Sequence, residues 1–139
     1  MDIICIGKQG VNLSDTLYLS ETSRHILRFY HPQNMGWGIR ISESTVSNAL
    51  SLLSELRWYI MRYMEDVIIE DTRFGIYMTR NLAKAVYEDR SVTLTENWEH
   101  MYRAAVLDDG STLPVPRSMD TPTGTIVSFL VWCMPEEEP

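Results

Sequence analysis

The chain has 139 residues, 45% of them hydrophobic and 22% charged, ordinary values for one globular domain with a core of its own. Its formal net charge of −7 at pH 7 excludes a protein that coats DNA by bulk attraction. No window approaches about eighteen uninterrupted apolar residues, and Met1-Asp2-Ile3-Ile4 lacks the basic start of a secretory signal. No membrane partner and a cytoplasmic or otherwise intracellular location are therefore expected.

Asp2–Ile6 reads as a first strand, closed by Gly7 and the Lys8-Gln9-Gly10 turn, with more turn chemistry at Asn12, Ser14 and Asp15. Three short strands are expected next, at Thr16–Ser20, Arg24–His31 and Trp37–Ile41. The breaker Pro32-Gln33-Asn34-Met35-Gly36 separates the last two. From about Glu43 to about Met64, Val46, Ala49, Leu50, Leu53, Leu56, Ile60 and Met64 recur at helical spacing behind a serine cap, Ser42 or Ser44. That spacing predicts one long amphipathic helix.

Val67-Ile68-Ile69 either extends that helix or begins a strand. Phe74–Met78 is strand-like, Asn81–Glu88 suits a short helix, Ser91–Thr95 a strand and Glu96–Leu107 a helix. Asp108-Asp109-Gly110-Ser111 is a turn, and the prolines of Leu113-Pro114-Val115-Pro116 make that stretch extended. Thr125–Met134 is the best strand of the second half, and Pro135–Pro139 reads as a frayed acidic tail. The expected class is α+β: an N-terminal antiparallel β-meander, a long amphipathic helix, then a mixed α/β C-terminal half ending in a strand. One domain spans 1–139, with a sheet-plus-helix half at 1–66, a mixed half at 67–134 and the tail at 135–139.

Charge is unevenly spread. Residues 1–70 carry 6 basic and 8 acidic groups, residues 71–139 carry 6 and 11, and only the first quarter would not repel an anion. There, strand alternation would set Leu17, Leu19, Leu27, Phe29, Ile39 and Ile41 under the helix and leave Tyr18, Arg24, Arg28, Tyr30 and Arg40 on an open face. Guanidinium forks pair with phosphates and phenol rings stack on bases, so these five form a nucleic-acid-binding set. The helix stripe is wider than one small sheet covers. The second half of the chain can bury that stripe, and alongside this Leu53, Leu56, Trp58, Ile60 and Met64 on it are expected to join two copies into a homodimer.

Gly38-Ile39-Arg40-Ile41-Ser42, Ile26-Leu27-Arg28-Phe29-Tyr30 and Ile6-Gly7-Lys8 resemble short motifs of the single-stranded-DNA-binding domain of the transcriptional positive cofactor four family. The resemblance covers residues 3–64. It implies a curved antiparallel sheet followed by a helix, a dimer joined through the helices, and a strand of DNA bound across the paired sheets.

Enzymatic chemistry has no support in the pattern. His25, His31 and His100 lack metal-ligand spacing, and no phosphate-cradling glycine motif or nucleophile elbow occurs. No catalytic residue, metal or cofactor is expected. Cys5 and Cys133 lie in apolar runs and read as buried reduced thiols, with a bridge between them left open. The leading expectation is a non-enzymatic single-stranded nucleic-acid-binding protein of transcription or DNA metabolism. The alternative is a small acidic intracellular protein-interaction module, such as a phage- or virus-type accessory protein or an inhibitor of a host protein. Its eight Met, four Trp and seven Tyr suit an interface core.

Overall fold

β-Branched runs nucleate the central strands. In a computed structural model that describes all residues 1–139, Ile3-Ile4-Cys5-Ile6 lies in β1 (Asp2–Gly7) and Val67-Ile68-Ile69 in β4 (Met64–Asp71). Around this antiparallel pair the chain adds α1 (Leu13–Leu19), α2 (Glu21–Ile26), β2 (Gln33–Asn34), β3 (Gly38–Ser42), α3 (Val46–Glu55) and α4 (Arg57–Tyr63). Beyond β4 come β5 (Ile76–Thr79), α5 (Arg80–Tyr87), β6 (Met101–Leu107), β7 (Thr112–Pro116), β8 (Thr125–Trp132) and a 3-10 turn at Pro135–Glu137. All eight strands join one sheet in the order β2-β3-β1-β4-β5-β8-β6-β7, antiparallel except where β5 meets β8.

Both faces of the central strands are buried. Ile3, Cys5 and Ile69 face the helices in a core with Leu13, Leu17, Leu53 and Leu56. Ile4, Ile6 and Ile68 point the other way and meet Tyr102, Val106, Phe129 and Val131 of β6 and β8. Strands of one sheet can pack on each other only if the sheet rolls. Phe129 seals the roll, edge-on to Trp37 at 5.6 Å and to Tyr77 at 5.2 Å, while Gln9 Nε2 donates to the Asp109 carbonyl at 3.3 Å. Gly38 permits the tight β1–β3 pairing, because a Cβ there would collide with the Cys5 carbonyl. Edge strand β7 carries Pro114 and Pro116, which block further pairing.

The expected N-terminal meander is corrected. Residues 13–26 form two short helices, so two of the three short strands expected there, Thr16–Ser20 and Arg24–His31, are not strands. Asn12 acts as a helix cap rather than a turn residue: its Oδ1 accepts from the Asp15 amide at 3.1 Å. The buried positions Leu13 and Leu17, then Ser23 and Leu27, repeat every four residues, a helical period that a two-residue reading misses. Only β3, from the third segment, is a strand.

The long helix is also corrected. It breaks at Leu56, a fully buried residue with φ −88° and ψ 6°, and α4 ends where the chain turns extended at Met64. Lys8 closes α4, its amide donating to the Tyr63 carbonyl at 2.9 Å and its Nζ to the Met61 carbonyl at 3.1 Å. In the second half, the helix expected over Glu96–Leu107 is strand β6 from Met101, and Ser91–Thr95 belongs to no strand. Pairing of β6 on both flanks, with β7 and β8, overrides its local preference. No helix is long and apolar enough to cross a membrane.

Candidate interaction surface

Three helices share one outer surface. At the α1–α2 junction the Ser20 hydroxyl lies 2.6 Å from the Tyr59 hydroxyl of α4, and Tyr59 in turn meets Trp58 edge-on at 5.0 Å. Short amphipathic helices bury one stripe and leave the rest in water. Here Tyr18, Leu19, Phe29, Trp58 and Met61 stay outside, half of the ten exposed large hydrophobics of the chain. Leu19 is 83% exposed and Met61 73%, values that residues of their type reach only without a partner in the fold.

Arginines fill the spaces between. Arg24, Arg28, Arg57 and Arg62 are exposed and enter no salt bridge, and two of them cover aromatic faces. The Arg28 guanidinium lies 4.6 Å from the Phe29 ring centre, and that of Arg62 lies 4.6 Å from Trp58. The carboxylates of α1 and α2, Asp15 and Glu21, sit in the first turns of those helices, and α4 has none.

The five residues of the expected nucleic-acid face separate into two groups. Tyr18 and Arg24 lie on α1 and α2 and Arg28 in the turn that follows α2: Arg24 Nη1 donates to the Tyr18 carbonyl at 3.4 Å and Arg28 Nη1 to the His25 carbonyl at 2.7 Å. Tyr30 donates instead to the Glu43 carboxylate, and that bond, helped by burial, pushes its phenol up to about 12. Arg40 lies on β3 and spans its neighbours, donating to Asp2 at 2.7 Å and to Glu70. Its charge is spent inside the sheet. Of the expected dimer residues, Leu53, Leu56 and Met64 are buried in this chain's own core, Ile60 is partly buried, and only Trp58 is open.

Leu19, Phe29, Arg57, Met61 and Arg62 escaped the sequence reading. The signal for the last three was the run Arg57–Tyr63, which holds two arginines, three large aromatics and no acid. Leu19 and Phe29 were hidden by the strand assignment, which turned both inward.

A second polar cluster lies under the C-terminal turn. Burial raises the Asp66 carboxyl, against the opposing hydrogen bonds from the Tyr102 hydroxyl (3.0 Å) and the Val67 amide. Glu137 closes this cavity of about 270 Å³, accepting from the Thr79 hydroxyl at 2.7 Å and from the Met134 amide at 3.0 Å. The tail is therefore docked by these bonds, and Glu138 adds a contact to His100 at 3.5 Å. No three His, Cys, Asp or Glu side chains converge as metal ligands. Cys5 and Cys133 are unbridged and fully buried, and burial pushes both thiols up to about 12, far from thiolate chemistry at neutral pH.

Together these features define a small acidic protein built on a rolled sheet, helix-covered on one face, with a basic and apolar helical surface. The chain belongs to DUF5804, a family of unknown function whose model matches residues 1–108. The match ends just past β6, although β8 beyond it supplies Phe129 and Val131 to the second core. Comparison with curated proteins and with solved structures finds no significant match.

Proposed function

We propose that the chain is a non-enzymatic protein-interaction module whose α1–α2–α4 surface docks an acidic, partly apolar surface of a partner protein. One observation carries this reading: Leu19, Phe29, Trp58 and Met61 are exposed beside four arginines in no salt bridge, on a chain of net charge −7. Aromatic residues, Met and Arg are what interface cores concentrate, and an arginine-rich patch on an acidic protein favours an acidic partner. Leu19 and Met61 favour a protein partner over a nucleic acid. A flat ring can stack on a base, whereas an aliphatic side chain gains most from an apolar protein surface.

Single-stranded nucleic acid, in transcription or DNA metabolism, is the second reading. Its specific support is the pairing of Arg28 with Phe29 and of Arg62 with Trp58, together with Tyr18, since stacked rings beside guanidiniums suit unpaired bases. The unbridged cysteines support an intracellular setting for either. Self-association through the same surface, where Trp58 and Ile60 of the expected dimer seam remain accessible, is read by sedimentation.

Titration with a labelled oligonucleotide at two salt concentrations separates the two readings. The protein-partner reading expects no salt-sensitive binding. Micromolar binding that weakens with salt and disappears in Arg24→Glu/Arg28→Glu would replace it with the second.

A further inference from the structure

Ser91–Thr95 has the composition of a strand without having a neighbour. Val92 and Leu94 are partly buried while Thr93 and Thr95 are exposed, the alternation of an extended segment with one apolar side. Yet neither the amides nor the carbonyls of Val92, Thr93 and Leu94 form any hydrogen bond within the protein. This row of free backbone groups borders a cavity of about 720 Å³, whose floor includes Ile76, Met78, Val86 and Trp132.

The apolar surface does not stop at the cavity. Along β8, Leu130 and Ile126 fall on the same side as Trp132 and are 38% and 58% exposed, with Leu113 of the neighbouring hairpin 42% exposed. No helix covers this part of the sheet. Opposite charges flank the free segment: Arg90 precedes it, Glu96 follows it, and neither enters a salt bridge. Arg90 is also the one non-glycine residue with positive φ, at 52°, a conformation that costs energy. Asp71, at the cavity wall, is already saturated by Arg73 and by the Tyr87 hydroxyl, so it is not a free partner for a ligand.

We infer that residues 91–95 are a docking strand, which an extended peptide segment of a partner protein pairs with by strand addition. One of its apolar side chains enters the cavity over Trp132. The peptide carries an acidic group toward Arg90 and a basic group toward Glu96. Main-chain pairing supplies affinity and the cavity supplies side-chain selection, the division of labour of strand-addition sites. This surface is separate from the α1–α2–α4 helices, and its occupancy does not depend on theirs.

The probe is a short synthetic peptide of alternating valine and threonine, with aspartate at one end and lysine at the other. Binding to the full chain should slow hydrogen exchange at the Val92–Leu94 amides, which exchange freely without it. Glu96→Lys should weaken binding roughly tenfold, by a like-charge contact, and a peptide whose terminal lysine is replaced by aspartate should recover it on this variant. Trp58→Ala/Met61→Ala should bind the peptide as the wild type does, which keeps the result independent of the helical surface. Unchanged exchange at Val92–Leu94 with saturating peptide overturns the inference. So does a cavity that takes up a fluorescent apolar dye while rejecting every extended peptide, since that marks a small-molecule site.

Discussion

At the level of single residues, partners decide what a charge can do. Arg40 and Arg28 are equally basic in sequence, but Arg40 is clamped by Asp2 and Glu70 whereas Arg28 keeps most of its donors in water. Asp71 is the clearest case of a carboxylate tuned by its surroundings. Burial alone would raise it, but the Arg73 guanidinium and amide, with the Tyr87 hydroxyl, overcome that and hold it below its usual 3.8. A carboxyl depressed in the folded state stabilises the fold above its unfolded value and loses that contribution as pH falls through the folded one. The stability gap between wild type and Asp71→Asn should therefore be widest near about pH 6 and shrink steadily below about pH 4. Thermal melts of both proteins across that range check it, and a gap that is constant with pH would show that Asp71 acts through packing alone.

Elements were legible in the sequence where one local signal dominated. Segments 2–6, 37–41, 113–116 and 125–134 overlap β1, β3, β7 and β8, with bounds off by up to two residues, because β-branched runs or proline left few alternatives. Helix α5 follows from Leu82, Ala83, Ala85 and Val86 behind Thr79. Residues 16–31 were not legible, since Leu17, Leu19, Leu27 and Phe29 satisfy an alternating pattern while the caps at Asn12 and Ser20 satisfy a helical one. Burial of Leu13, Leu17 and Leu27 against the sheet chose the helix. The candidate surface followed the same fate: Tyr18 and Arg24 are exposed on helices and Arg28 in the turn after α2, not on strands, and Met61 and Arg62 needed the break at Leu56 to be seen. Thr79 joins two elements at once. Its hydroxyl accepts from the Leu82 amide at 3.2 Å as the cap of α5 and donates to Glu137 of the C-terminal turn. Thr79→Ala should cost about 1–2 kcal/mol in denaturant unfolding, with Thr79→Ser close to wild type. Equal losses in both variants would assign the effect to the methyl group.

Taken whole, the molecule is a sheet rolled so that its two halves pack on each other, with helices covering the outer face of β3, β4 and β5. Phe129 lies where the halves meet and touches Trp37 and Tyr77 at once. Phe129→Ala should lower stability by about 3–5 kcal/mol and do so cooperatively, because both halves lose the same contact. A loss under about 1 kcal/mol in equilibrium unfolding would mean that the roll is held elsewhere.

Rolling the sheet spends its apolar area internally, which leaves the exposed Leu19, Phe29, Trp58 and Met61 without a structural use. The most direct measurement is affinity capture from the native host with wild type, Trp58→Ala/Met61→Ala and Arg24→Glu/Arg28→Glu, each first shown by circular dichroism to be folded. Exposed substitutions should leave stability within about 0.5 kcal/mol of wild type. The account predicts one stoichiometric protein partner, retained by wild type and lost, or weakened roughly tenfold or more, in both variants. Equal retention of that partner by all three proteins, or recovery of nucleic acid alone, would contradict it.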